Sequence, residues 1–351
     1  MLYKYSYITN HAVHDLNRYL NLFFNQIENV KRNEKFLVGK YLDTNFPGKR
    51  NKDLIEKFAK FFNSYKVLNN ADRDKFNTLV KRSDFIEVFY EDINLCCKDY
   101  QSDNLRNLLG NDSLKNLMIY LYTNVFGSNR KNLLDHYLKI FDLMPQKICP
   151  FCGLEKMHRM YKEDYDHLAP KALYPLFALN LKNMAPMCHI CNSKFKTQID
   201  IFYKNNIRRP FAYPYTTTID IDLDFTGSII DQADSSNFLG IWNIKIFPVN
   251  LLTATWVDVF NIKERYEKDY LEVDFNDWMD EFIDSLIRDN VRIEEIKDLV
   301  AQFSIMAESL YRIRLNNCNI IKAPLFKFLA CGELNEFYES VLKKIKKSIA
   351  A

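Results

Sequence analysis

The stretch that decides how this chain is read runs from Cys149 to Lys196. It contains Cys149-Pro150-Phe151-Cys152, then Tyr165-Asp166-His167-Leu168-Ala169-Pro170-Lys171, then Asn183-Met184-Ala185-Pro186-Met187, then Cys188-His189-Ile190-Cys191-Asn192-Ser193-Lys194-Phe195-Lys196. Two Cys-x-x-Cys pairs, with 35 residues between them, enclose an Asp-His pair and an Asn; a second Asn follows the last cysteine. Each pair presents two thiolates to one point, and two pairs complete a tetrahedral zinc site. Cys149, Cys152, Cys188 and Cys191 are therefore expected to hold a structural Zn²⁺. Gly153 suits a tight knuckle after the first pair, and four thiolates leave His189 as a spare. The gap is longer than in an ordinary zinc ribbon, so the metal would enclose an inserted element.

That insert reads as a hairpin. Asp164 to His167 is a short strand stopped by Pro170, a loop passes Tyr174-Pro175, and Leu181 to Met187 returns as the second strand. A helix then runs from Cys188 towards Asp200, with Asn192 at its start and Lys196 four residues on, on the same face. The chemistry of these residues is that of a one-metal phosphodiesterase. A carboxylate (Asp166) and an amide oxygen (Asn192) are hard donors for Mg²⁺ or Mn²⁺. The His167 imidazole is placed to accept a proton from water, and a divalent ion stabilises charge on the phosphate and leaving oxygen. In a regular strand Asp166 and His167 point to opposite faces. The strand must therefore end or twist there, and Asn183 is placed to hold that backbone.

Tyr-Asp-His-Leu-x-Pro-Lys, then Asn183, then Cys-x-x-Cys-Asn resembles the HNH endonucleases, of the ββα-metal fold with a four-cysteine zinc support. The resemblance implies that Asp166 is a metal ligand and His167 the general base. It makes Asn183 the residue that fixes the His-bearing loop, and Asn192 the second ligand. It implies cleavage of DNA to a 5′-phosphate and a 3′-hydroxyl, with RNA as the lesser alternative. Many members carry Lys four positions after the last cysteine; here Phe195 stands there, flanked by Lys194 and Lys196. The likeness covers residues 149–196. A looser likeness through Tyr174-Pro175, Pro214 and the Trp256 to Tyr266 segment extends to stand-alone HNH proteins of bacterial anti-phage systems. It implies an effector nuclease with a partner ATPase or another defence-system protein.

Charge is distributed to match. The chain has a net charge of +3. From Lys147 to Arg209, eleven basic residues stand against five acidic ones, a local net of +6. A basic segment around a metal site fits a polyanion, and Lys171, Lys194, Lys196, Arg208 and Arg209 are the expected phosphate contacts.

The flanks read as mostly helical. In residues 1–145, Leu16, Leu20, Phe23, Phe24 and Ile27 recur at helical spacing, as do Leu54, Phe58, Phe61 and Phe62. Asp84 to Tyr100 carries Phe85, Val88, Phe89, Ile93 and Cys96 in a similar pattern, Asp112-Ser113 is placed to cap the next helix, and Asn132 to Leu143 is the last piece. After the zinc segment, Thr217 to Phe225 alternates strictly, with Asp220, Asp222 and Asp224 on one face. It predicts a half-buried strand with a solvated acidic face rather than a cation site. Ile241 to Phe247 is its partner across a long loop from Gly227 to Phe238. Helices return from Leu252 and close with Leu325 to Ile345.

Three regions are thus expected: a helical 1–145, a nuclease core 146–212, and a hairpin with helices over 213–351. The fold class is α+β, mostly helical, around a ββα, treble-clef-like core. With 48% hydrophobic and 15% aromatic residues the chain can build real cores. No signal peptide, membrane span or Gly-rich phosphate loop is read, so a reducing cytoplasm is expected. The four cysteines outside the pairs, Cys96, Cys97, Cys318 and Cys331, are expected as buried free thiols. In a competing class, the same segment is a non-catalytic zinc module that binds nucleic acid or protein, with Asp166 and His167 merely structural.

Overall fold

The computed structural model describes residues 1–160, 164–232, 237–331 and 334–350. Lys162 and Glu163, counted in the basic segment, lie outside them. The protein is α+β, built of many helices and four small antiparallel strand pairs. No helix among the described residues is long and apolar enough to cross a membrane.

Contacts divide the chain into two compact units. The first contains residues 3–147 and 157–218; the second contains 148–156 and the chain from 219 onward.

In the first unit the aromatic stripes make the core. The helix Asp15–Ile27 buries Leu16, Leu20, Phe23, Phe24 and Ile27, and Lys52–Lys66 buries Leu54, Phe58, Phe61 and Phe62. Their rings meet edge to face, with Phe23 and Phe58 at 4.8 Å and Phe24 and Phe61 at 5.7 Å. Asn51 starts the second of these helices by accepting from the Leu54 amide at 3.1 Å. Asn111, not Asp112, caps the Ser113–Tyr120 helix side-on, accepting from Ser113 N–H.

The helix expected over 84–100 is not formed. Only short turns occur, at Val88–Glu91 and Lys98–Tyr100, and Phe85, Val88 and Ile93 are exposed. The carbonyls of Phe89, Asp92 and Leu95 turn outward to the Arg208 guanidinium instead of continuing a helical ladder.

The strands in chain order are β1 (Asp164–His167), β2 (Met184–Met187), β3 (Tyr203–Lys204), β4 (Ile207–Arg208), β5 (Asp222–Asp224), β6 (Ile229–Gln232), β7 (Phe238–Ile241) and β8 (Lys245–Phe247). β1 pairs with β2 and β3 with β4 in the first unit.

In the second unit β5 pairs with β8, Leu223 opposite Ile246, and β6 pairs with β7. The long loop of the expected hairpin is therefore itself a hairpin, apart from 233–236, which lie outside the described residues. Ile219, Ile221, Leu223 and Phe225 are buried as the alternation requires. On the other face Asp220 pairs with Arg314 at 3.2 Å, and Asp222 accepts from Tyr311 Oη at 3.1 Å. The terminal helix is two helices, Asn319–Leu329 and Asn335–Ala350.

Candidate active site

β1 and β2 form a short antiparallel ladder with Asp166 opposite Ala185 and His167 opposite Met184. It ends at His167, and Asn183 is the reason. Leu168 N–H donates to the Asn183 carbonyl at 2.8 Å, and Ala169 N–H donates to Asn183 Oδ1 at 2.8 Å. Asn183 Nδ2 donates to the carbonyls of Ala169 (2.9 Å) and Phe177 (3.2 Å). Tyr90 Oη donates to the same Oδ1 at 2.9 Å. The amide is fully buried, and both its oxygen and its nitrogen are bonded. It fixes the loop that follows His167.

His167 is buried, and its Nε2 lies 2.8 Å from the Ala178 carbonyl oxygen. A carbonyl only accepts, so the proton sits on Nε2 and Nδ1 keeps its lone pair. Burial, reinforced by the nearby Lys171 charge, pushes the imidazole pKa down to about 3. The ring is neutral at physiological pH. Tyr122 packs its ring edge-on against it, with centroids 4.4 Å apart. Lys171 Nζ lies 4.7 Å from the Tyr122 ring centre, and burial lowers its pKa.

Asp166 faces Lys196. The Lys196 side chain is fully buried, with Nζ 2.7 Å from Asp166 Oδ2 and 2.6 Å from the His167 carbonyl oxygen. Burial raises the Asp166 pKa, and the Lys196 charge opposes that rise. Asp166 Oδ2 is buried and accepts no hydrogen bond of good geometry despite the charge contact. A carboxylate is a hard donor of the kind a divalent ion takes, and here Asp166 Oδ2 has the Lys196 ammonium 2.7 Å away.

Lys196 ends the π-helical segment Ile190–Lys196, and Thr197 stops it at φ 45°. Asn192 lies near the start of that segment, four residues before Lys196. It is half-buried, its N–H donating to the Cys188 carbonyl at 3.0 Å. Tyr122 sits in another π-helical segment, Leu121–Phe126. Such turns cluster at functional sites.

Three expected phosphate contacts are placed differently. Lys196 is internal, as above. Arg208 spends its guanidinium on the backbone carbonyls of Phe89, Asp92 and Leu95. Arg209 is buried, with Nη2 on the Asp200 carbonyl. Each is held where the chain has carbonyls that need donors. Lys194 is exposed and Lys171 half-exposed, as a phosphate contact requires.

The ligand atoms of Cys149, Cys152, Cys188 and Cys191 all lie within 4.8 Å of one another, and all four residues are buried. The cluster can hold a metal ion such as zinc. Cys191 N–H points at Cys188 Sγ, 3.4 Å away, as in a thiolate-binding turn. In the first knuckle Gly153 has φ +73°, a left-handed conformation that strains any other side chain. Trp256 Nε1 donates to the Phe151 carbonyl and Tyr266 Oη to that of Cys152, both at 2.7 Å. Outside the cluster only Cys97 is fully buried, its thiol pKa pushed up to about 12 by burial; Cys96 and Cys331 are exposed and Cys318 half-buried.

Tyr122 is the site residue that sequence reading missed. Its spacing is that of an ordinary core helix, and nothing local marks its contact with His167. No family model, curated protein or solved structure matches the chain.

Proposed function

We propose that the protein is a metal-dependent endonuclease of the HNH kind that hydrolyses phosphodiester bonds of DNA. The observation that carries this reading is the geometry at His167: Nε2 lies 2.8 Å from the Ala178 carbonyl oxygen, which puts the proton there and leaves the Nδ1 lone pair as the base. In this scheme His167 Nδ1 takes a proton from water, the water oxygen forms a bond to phosphorus, and the bond to the 3′-oxygen breaks. The leaving oxygen takes a proton from solvent, giving a 5′-phosphate and a 3′-hydroxyl. The Ala178 carbonyl stabilises the imidazolium that forms. Asp166 and Asn192 would hold Mg²⁺ or Mn²⁺, which supplies positive charge to the phosphate and the leaving oxygen when bound. Asn183 is a positioning residue. Lys196 holds Asp166 and the end of β1 from inside, and Lys171 and Lys194 face the backbone phosphates. Zn²⁺ on the four cysteines is scaffolding. An effector role in anti-phage defence, with a partner ATPase, rests on the looser likeness through Tyr174-Pro175, Pro214 and the Trp256 to Tyr266 segment to stand-alone HNH proteins.

One observation favours the non-catalytic class: a buried Asp–Lys contact is also an ordinary structural pair. Plasmid nicking with Mg²⁺ or Mn²⁺ separates the two. Wild type is expected to nick, and His167→Ala to be slower by roughly 10²–10⁴-fold with an unchanged circular dichroism spectrum. Equal rates, or no cleavage of plasmid, single-stranded DNA or RNA with any divalent ion, would overturn the proposal.

A further inference from the structure

A cleft of about 700 Å³ opens beside His167, lined by Tyr122, Phe126, Arg130, Leu134, Met160 and Tyr165 among others. Its place follows from β1. Tyr165 and His167 are alternate residues of that strand and so share a face. Tyr122 belongs both to the cleft lining and to the His167 contact. The cleft therefore begins one ring's width from the imidazole. In a nucleotide, one sugar separates base from phosphate over a similar span.

The lining is aromatic and apolar, with positive charge beside it. Tyr122 and Phe126 stack, centroids 5.5 Å apart and planes 23° from parallel. Met160 is 91% exposed and Leu134 also reaches solvent, so the cleft presents apolar surface to a ligand. Arg130 is exposed in the lining, and Lys171 Nζ lies against Tyr122. Aromatic surface flanked by cations is how single-stranded nucleic acid is held: bases stack on the rings and phosphates meet the charges, with little dependence on sequence. A base inside a duplex has both faces covered and cannot enter.

We infer that this cleft takes an unstacked nucleobase next to the scissile phosphate, so that single-stranded or locally unpaired DNA is the preferred substrate. The inference rests on the endonuclease reading for the position of the phosphate, but the binding it requires is measurable without cleavage.

Fluorescence anisotropy of the full-length chain, without added Mg²⁺ or Mn²⁺, would compare a labelled oligo-dT strand with a blunt duplex of equal length. The single strand is expected to bind about tenfold more tightly, as stacking of one base would give. Leu134→Glu and Met160→Glu both change exposed positions that the fold does not depend on, and each is expected to erase that preference. Equal affinity for strand and duplex in wild type would overturn the inference. So would a preference unchanged in both variants, which would leave the cleft to a protein partner. A chain that prefers single strands through Leu134 and Met160 yet cuts nothing keeps this inference and loses the nuclease reading. A chain that nicks plasmid through His167 but binds both forms equally does the reverse.

Discussion

Lys196 lies with its ammonium 2.7 Å from Asp166 Oδ2 and 2.6 Å from the His167 carbonyl oxygen. On a basic helix flanking a cysteine pair it reads as a phosphate contact. Folded, it is a fully buried cation that bridges Asp166 and the His167 carbonyl. Removing one member of a buried pair leaves the other charge uncompensated, at a cost of about 3–5 kcal/mol. Lys196→Met is expected to lose stability of that order in urea unfolding, and adding Asp166→Leu should recover part of it. A solvated phosphate contact would give no loss in the single variant and no coupling in the pair. Asn183 was legible because its role is local: a chain reversal after His167 needs an amide that binds backbone in both directions, and it lies 14 residues from Ala169. Tyr90, which completes the same site from 93 residues away, left no such trace.

At the scale of elements, β1 and its turn were legible from their own sequence. The short Asp164 to His167 stretch, its stop at Pro170 and the cysteine spacing define them without reference to partners. The 84–100 segment was not, because its carbonyls are taken by Arg208 from more than a hundred positions away. The support under β1 is similarly long-range. His136, on the helix Arg130–Leu143, places Nδ1 2.6 Å from Tyr165 Oη, and the rings of His11 and His14 stand 5.1 and 5.8 Å from it. Burial first, then the neighbouring His11 and His14, push the His136 pKa down to about 4; burial lowers that of His14 as well. The unfolded chain therefore binds protons that the folded one refuses between the ordinary value near 6.5 and about 4. Stability is full above that window and falls as pH drops through it, by about 2–3 kcal/mol for His136. Urea midpoints measured across the window should fall in wild type and fall less in His136→Gln. A flat wild-type profile would mean that this support does not exclude protons.

For the molecule as a whole, the cysteines carry the largest expected effect. Four buried thiols with their ligand atoms within 4.8 Å of one another are an unfavourable arrangement unless deprotonated and shared by a cation. The chain around them is committed to that geometry. Gly153 holds a left-handed backbone that strains other side chains, and Trp256 and Tyr266 hold the carbonyls of Phe151 and Cys152 from more than a hundred residues away. The Cys-x-x-Cys pairs announced the four-cysteine cluster, but not the two donors that brace its first knuckle, since neither lies in a motif. One zinc per chain is expected by emission spectrometry. Cys149→Ser is expected to bind substantially less zinc and to lose several kcal/mol, which for a chain of this size lowers the melting midpoint by roughly 10 °C. Cys96→Ser, at an exposed thiol outside the cluster, should keep both zinc and midpoint. If Cys149→Ser melts with wild type, or if stripping the metal leaves the midpoint unmoved, zinc is not what the cluster is built to hold the fold with, and the scaffold role falls while the His167 site stands to its own test.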